Sequence, residues 1–209
     1  MTPEVPSGPE GLVRDILQGL AEGRFVPGQR LAEPDLMARC GLGRSTVREG
    51  LGRLAASGIV EQAPHRGAQI RLLTRRAAGD VLRVTEPLLG LAARQAAEAV
   101  EAGADPAPLL AAMAEYDTAQ DARARARYYR ALTVLGGNAE LDRLLPMLQV
   151  HLIRAQLRHC RPPGAGARAE IVAAVAAGDP DAAEAAARSH VRRLIAFLPE
   201  APDSAFAQG

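Results

Sequence analysis

Residues 29–71 constrain this chain more than any other stretch. Apolar residues at helical spacing predict a helix over residues 33–39 and another from 44 or 45 to 57, with Val47, Leu51 and Leu54 facing inward. Gly41-Leu42-Gly43 lies between them, a tight turn whose glycines permit positive φ, and Ser45 can cap the second helix. Gly58 ends that helix. Residues 59–61 and 68–72 then read as two short strands joined by Ala63-Pro64-His65-Arg66-Gly67. Two helices, a tight turn and a small hairpin make the layout of a winged helix-turn-helix, which places its second helix in the DNA major groove.

The rest of the chain is helical in pattern. It is 48% hydrophobic but only 3% aromatic, and much of the apolar content is alanine, a strong helix former. Residues 10–22 carry Leu12, Ile16, Leu17 and Leu20 on one face, with Gly23 able to close the helix. Residues 73–76 read as a linker. Beyond them only helical periodicity is visible, with apolar stripes at Leu141, Leu144, Leu145, Leu148 and Leu152, and at Val191, Leu194, Ile195 and Leu198. Breaks at 103–108, 136–138, 161–166 and 178–180 delimit about six helices of ordinary length. Pro87 either kinks the first of these or marks a restart. The expected fold is mostly α: a winged helix-turn-helix over residues 1–73, then an all-helical bundle over 74–209.

Charge and cysteine content narrow the classes. The net charge of +1 does not announce a nucleic-acid binder, but Arg39, Arg44, Arg48 and Arg53 stand against the single acid Glu49 between residues 39 and 53. Cys40 sits at an apolar position suited to core packing, and Cys160 has no neighbouring cysteine, so free thiols are expected. With no secretory leader and no apolar run of ~18 residues, the expected location is cytoplasmic, with no membrane partner.

These residues carry a family resemblance. Gly43-Arg44-Ser45-Thr46-Val47-Arg48-Glu49-Gly50-Leu51, then Arg53-Leu54, Gly58-Ile59-Val60-Glu61 and Pro64-His65-Arg66-Gly67-Ala68, resemble the winged helix of GntR-type bacterial transcription regulators. The helical remainder is similar to the FCD effector domain of the FadR-like branch. That likeness rests on Tyr129-Arg130-Ala131-Leu132, Gly137-Asn138, the run from Ala174 to Asp179, and His190-Val191. The resemblance implies a regulator, usually a repressor, that binds a pseudo-palindromic double-stranded operator as a homodimer and answers to a small effector. An alternative is a ligand-independent regulator whose helical domain only dimerises. No Gly-x-Ser-x-Gly, P-loop, HExxH or GxGxxG motif supports an enzyme.

The candidate DNA contacts are Arg44, Ser45, Thr46 and Arg48 on the first turn of the second helix, and His65, Arg66 and Gly67 at the wing tip. Arginine reads guanine bidentately, while hydroxyls and backbone N–H groups at a helix start hold phosphate. At the wing tip, arginine and histidine suit a minor groove of negative potential. Arg39 and Arg53 fit phosphate contacts or plain surface positions. The family often has arginine where Pro34 stands.

Many FCD domains, the resemblance implies, bind a divalent metal through an aspartate and a histidine four residues apart plus two later histidines. Those positions fall here on Arg125, Tyr129, Arg168 and His190. A guanidinium offers no lone pair, and one histidine of four ligands does not hold zinc, so no metal and no cofactor are expected. The substitution suits direct capture of an anionic effector, a carboxylate or phosphate, with Arg83 as a further candidate.

Overall fold

The computed structural model describes residues 8–63, 67–119, 121–160 and 166–208. The chain divides into two compact units. One comprises Met1–Leu73 with His151–Gln156, the other Thr74–Val150 with Leu157–Gly209. The boundary read from the sequence was contiguous; the short piece at His151–Gln156 departs from it.

In the first unit, α1 (Gly8–Glu22), α2 (Glu33–Cys40) and α3 (Arg44–Ala56) pack around Leu12, Ile16, Leu36, Val47, Leu51 and Leu54, all buried. Cys40 is buried among them, as its apolar position suggested. A three-stranded antiparallel sheet follows, in the order β1 (Arg30–Leu31), β3 (Gly67–Ile70), β2 (Val60–Ala63). The strand β1 has no counterpart in the sequence reading, because two residues carry no periodicity. Its register is set by Arg30 opposite Gln69 and Leu31 opposite Ala68. Only one of the two turn glycines uses its freedom: Gly41 closes α2 at φ 64°, whereas Gly43 is extended at φ −70°. Gly43, and not Ser45, is the N-cap of α3, because the helix starts at Arg44, two residues earlier than a Ser45 cap requires.

Two glycines inside α3 have opposite roles. A Cβ at Gly50 would meet Leu12 Cδ2 at 2.8 Å and the Pro9 carbonyl at 3.3 Å, so this glycine lets α1 and α3 approach closely. A Cβ at Gly52 would meet nothing within 4 Å. Gly52→Ala is therefore expected to stabilise the protein by about 0.5–1 kcal/mol, and Gly50→Ala to bring no gain. Urea midpoints of the two variants check this. Equal gains would show that α1 and α3 do not depend on Gly50.

The second unit is built on α4 (Arg75–Glu101), 27 residues long. The structure corrects the linker reading of residues 73–76: Thr74 caps α4, its hydroxyl accepting from Ala77 N–H at 3.1 Å. Nor does Pro87 restart the helix. It sits on the exposed side of α4, where water can satisfy the carbonyl that its missing N–H leaves free.

Helices α5 (Ala107–Ala119), α6 (Ala122–Leu135), α7 (Ala139–Leu144), α9 (Ala167–Ala176) and α10 (Pro180–Phe197) complete the bundle. Between α7 and α9 runs α8 (Val150–Gln156), most of which belongs to the first unit. The apolar stripe from Leu141 to Leu152 is therefore not one helix. Pro146 interrupts it with a 3-10 turn at Leu145–Met147, and of its five leucines only Leu141 and Leu152 are buried.

The longest helix pair, α4 and α10, is locked by ion pairs. Glu86 takes Arg188 at 3.2 Å and Arg192 at 2.8 Å, and Arg94 takes Glu184 at 2.6 Å and also Asp181. Hydrogen bonds from Arg94, then from Arg188, hold the Glu184 carboxyl below the usual glutamate range. Gly90 gives Arg188 its passage, since a Cβ there would meet Arg188 Cγ at 2.8 Å. No helix among the described residues is long and apolar enough to cross a membrane.

Candidate functional site

The first turn of α3 is built to face outward. Val47, Gly50, Leu51 and Leu54 turn its other side into the core, which leaves Arg44, Ser45 and Arg48 exposed and Thr46 half-buried. Its N-cap Gly43 makes no side-chain cap bond, and the first turn carries no acid. The opening N–H groups of a helix lack intrahelical partners, so this end is a ready seat for a phosphate.

The arginines of this unit separate into two groups. Arg39 pairs with Asp15 and lies 4.3 Å over the Phe25 ring. Arg53 pairs with Glu10 at 2.5 Å and with Glu49 at 2.8 Å. Both tie α1 to the helix-turn-helix, which places them as structural surface residues. Arg44 has no ion pair among the described residues. Arg48 reaches Glu33 only at 3.5 Å with its side chain 70% accessible, an exposed contact of little energetic weight. Gly67, at φ 74°, opens β3 at the base of the wing. His65 and Arg66, the other wing-tip candidates, lie outside the described residues.

In the second unit, α5 and α6 form a helical hairpin, and α9 packs on α5. Asp121 caps α6, accepting from Ala124 N–H at 2.7 Å. On α6, Ala124, Tyr128 and Leu132 recur at four-residue spacing and are fully buried. Arg125 and Tyr129, one turn apart, lie beside that stripe and are half-buried. Tyr128 stacks on Tyr116 of α5 at 6.3 Å between ring centroids and meets Tyr129 edge-on at 5.0 Å. The Arg168 guanidinium of α9 lies 4.6 Å over the Tyr116 ring, and its Nε–H is buried with no hydrogen-bond partner among the described residues. All three tyrosines of the chain thus gather with Arg168.

Tyr116 was not singled out in the sequence. Its signal was scarcity, three tyrosines in a chain only 3% aromatic, and nothing in the linear pattern pairs α5 with α9. His190 is buried on the face of α10 that also carries Ala183, Ala187 and Val191. Arg83 is not part of the group. It is exposed and pairs with Asp80 at 2.9 Å, because residue 83 falls beside the inward stripe of Ala78, Gly79, Leu82 and Thr85 and not on it.

The residues that the resemblance places at the metal positions do not fit a divalent ion. Arg168 occupies one of them, with its guanidinium laid on a tyrosine ring, and His190 is the sole imidazole of the four. Among the described residues no three His, Cys, Asp or Glu side chains gather as a metal site. The arrangement offers instead a half-buried guanidinium with a buried Nε–H on an aromatic wall, chemistry suited to an anion.

The comparisons agree with both halves of the chain. Residues 10–70 match "Bacterial regulatory proteins, gntR family", and residues 80–193 match the FCD domain. A protein of Paenarthrobacter nicotinovorans described as "Probable D-xylose utilization operon transcriptional repressor" is 32% identical over 197 residues, covering 90% of this chain and 86% of that protein. Among solved structures, a GntR transcriptional regulator of Rhodococcus sp. RHA1 superposes with a TM-score of 0.74 at 22% identity, covering 93% of this chain and 98% of the other. E. coli McbR/YncC superposes at 0.76 and 19% identity, with the same coverage of each chain. These two show the same fold.

Proposed function

The chain belongs to the GntR family of bacterial regulatory proteins, with an FCD domain as its helical part, and from that premise we propose a repressor that binds a pseudo-palindromic operator as a homodimer and answers to a small anion. A regulator of this family is not an enzyme. The observation that carries the DNA half is the outward first turn of α3, where Arg44 has no ion pair among the described residues while Arg39 and Arg53 are committed to α1. Arg44 and Arg48 read base edges, and Ser45 and Thr46 hold phosphate. The wing, with His65, Arg66 and Gly67, takes the minor groove. The protein works in the cytoplasm.

The observation that carries the effector half is the buried Arg168 Nε–H. A carboxylate or phosphate seated there accepts from Arg168, with Arg125, Tyr129 and His190 as further contacts. No metal takes part. The effector acts only through different affinities for the operator-bound and free states, so DNA and effector weaken each other reciprocally.

Native mass spectrometry of the purified protein, with elemental analysis of the same sample, tests this reading. The expected result is a metal-free dimer that takes up a small anion. One stoichiometric divalent metal per chain would contradict it. Arg125→Ala combined with Arg168→Ala is expected to abolish anion uptake and leave DNA affinity within about twofold, because both residues lie in the second unit. Retained uptake would move the effector site elsewhere.

A further inference from the structure

The outward face of α4 is apolar where a solvent-facing row is ordinarily polar. Val84 is 50% accessible and Leu91 39%, with Pro87 exposed and Leu88 half-buried between them. Their spacing puts all four on one side of the helix, opposite the buried row of Leu82, Leu89 and Ala93. The 3-10 turn at Leu145–Met147, packed against α4, exposes two more apolar side chains, Pro146 and Met147. Single apolar residues on a surface call for no account, but a row of them marks a contact.

The two ends of this face carry opposite charges. Arg76, about two turns before Val84, is 93% accessible and reaches Asp80 only at 4.0 Å. Glu98, about two turns beyond Leu91, is half-accessible and reaches Arg94 only at 3.6 Å. Both are loosely held on their own helix, by surface pairs that count for little. These charges select the occupant. A second α4 laid antiparallel, with Val84 of one copy against Leu91 of the other, sets Pro87 against Leu88. It also brings Arg76 beside Glu98 at each end, and Asp80 beside Arg94. The same face laid parallel would put Arg76 on Arg76 and Glu98 on Glu98, a like-charge clash. The antiparallel contact is isologous: one patch serves both subunits, and the assembly closes as a dimer.

We propose that α4 is the homodimer contact of this protein: its Val84–Leu91 face pairs antiparallel with the same face of a second copy, and Arg76–Glu98 bridges close both ends. The proposal rests on the homodimeric reading above and names the surface which that reading leaves open. Every residue involved lies in the second unit.

Sedimentation velocity of the full chain over a wide range of concentration tests it. The natural protein is expected to sediment as a dimer. Leu91→Asp, which puts a charge at the centre of the contact, is expected to raise the dissociation constant about 100-fold or more. Arg76→Glu and Glu98→Arg are each expected to weaken the dimer about tenfold, since each sets like charges together at both ends. The two reversals in one chain are expected to restore it, a recovery that mere damage to the helix does not give. All three positions are exposed, so the helical circular dichroism signal is expected to stay natural. Should Leu91→Asp fail to fold, the charge reversals decide alone. A dimer unmoved by Leu91→Asp and by both single reversals, or a double reversal no better than the single ones, would overturn the α4 contact and leave the homodimer standing. A natural protein that stays monomeric at every concentration would overturn the homodimer itself.

Discussion

Replacing Arg44 and Arg48 together with alanine is expected to lower affinity for the operator by about 100-fold or more, each base-reading arginine contributing about 1–3 kcal/mol. The fold should not notice. Both side chains are exposed, Arg44 has no ion pair among the described residues, and the 3.5 Å contact from Arg48 to Glu33 is a weak surface pair. Arg39→Ala and Arg53→Ala supply the contrast. These guanidiniums tie α1 to α2 and α3, so their loss should appear chiefly as a lower melting temperature. Fluorescence anisotropy on operator and unrelated DNA, with circular dichroism on the same samples, separates the two classes. A double variant that still binds the operator at natural affinity would show that the first turn of α3 does not read bases.

Tyr128→Ala is expected to cost about 3–5 kcal/mol of stability, the range for removing a large aromatic side chain from a core. Tyr128 is fully buried, stacks on Tyr116 and meets Tyr129 edge-on, so its removal opens a hole between α5 and α6. Arg168→Ala should cost far less, about 1 kcal/mol, because it forfeits one half-buried cation–ring contact. Urea unfolding measures both. A mild Tyr128→Ala would mean that the α5–α6 hairpin does not rely on the aromatic cluster, and with it would fall the rigid wall assigned to the effector.

The DNA-facing half of the molecule was legible because its signals are local. The spacing of Val47, Leu51 and Leu54 fixes which side of α3 is buried, and hence which side carries Arg44 and Arg48. Gly58, at φ 71°, marks the helix end where the sequence placed it. What failed to show was set by partners distant in sequence or by very short pieces. The strand β1 is two residues long. The break at Pro146 was hidden beneath a run of leucines that looked like one helix. Residues 73–76 read as a linker because nothing in them announces Gln156, which accepts from the Leu73 N–H, or the C-terminal segment that grips Arg75. The aromatic cluster was half legible. Tyr129 and Arg168 were singled out, but the Arg168–Tyr116 contact depends on α9 packing against α5, and Arg83 lies apart from the cluster because a one-residue shift on a helix moves a side chain by about 100°.

Selection of DNA from a random pool by the full-length protein, followed by sequencing, tests the central claim most directly. The account predicts one enriched inverted repeat, its half-sites a whole helical turn or a small multiple apart, that Arg44→Ala no longer selects. No enriched sequence, or the same repeat chosen by the Arg44→Ala protein, would contradict it.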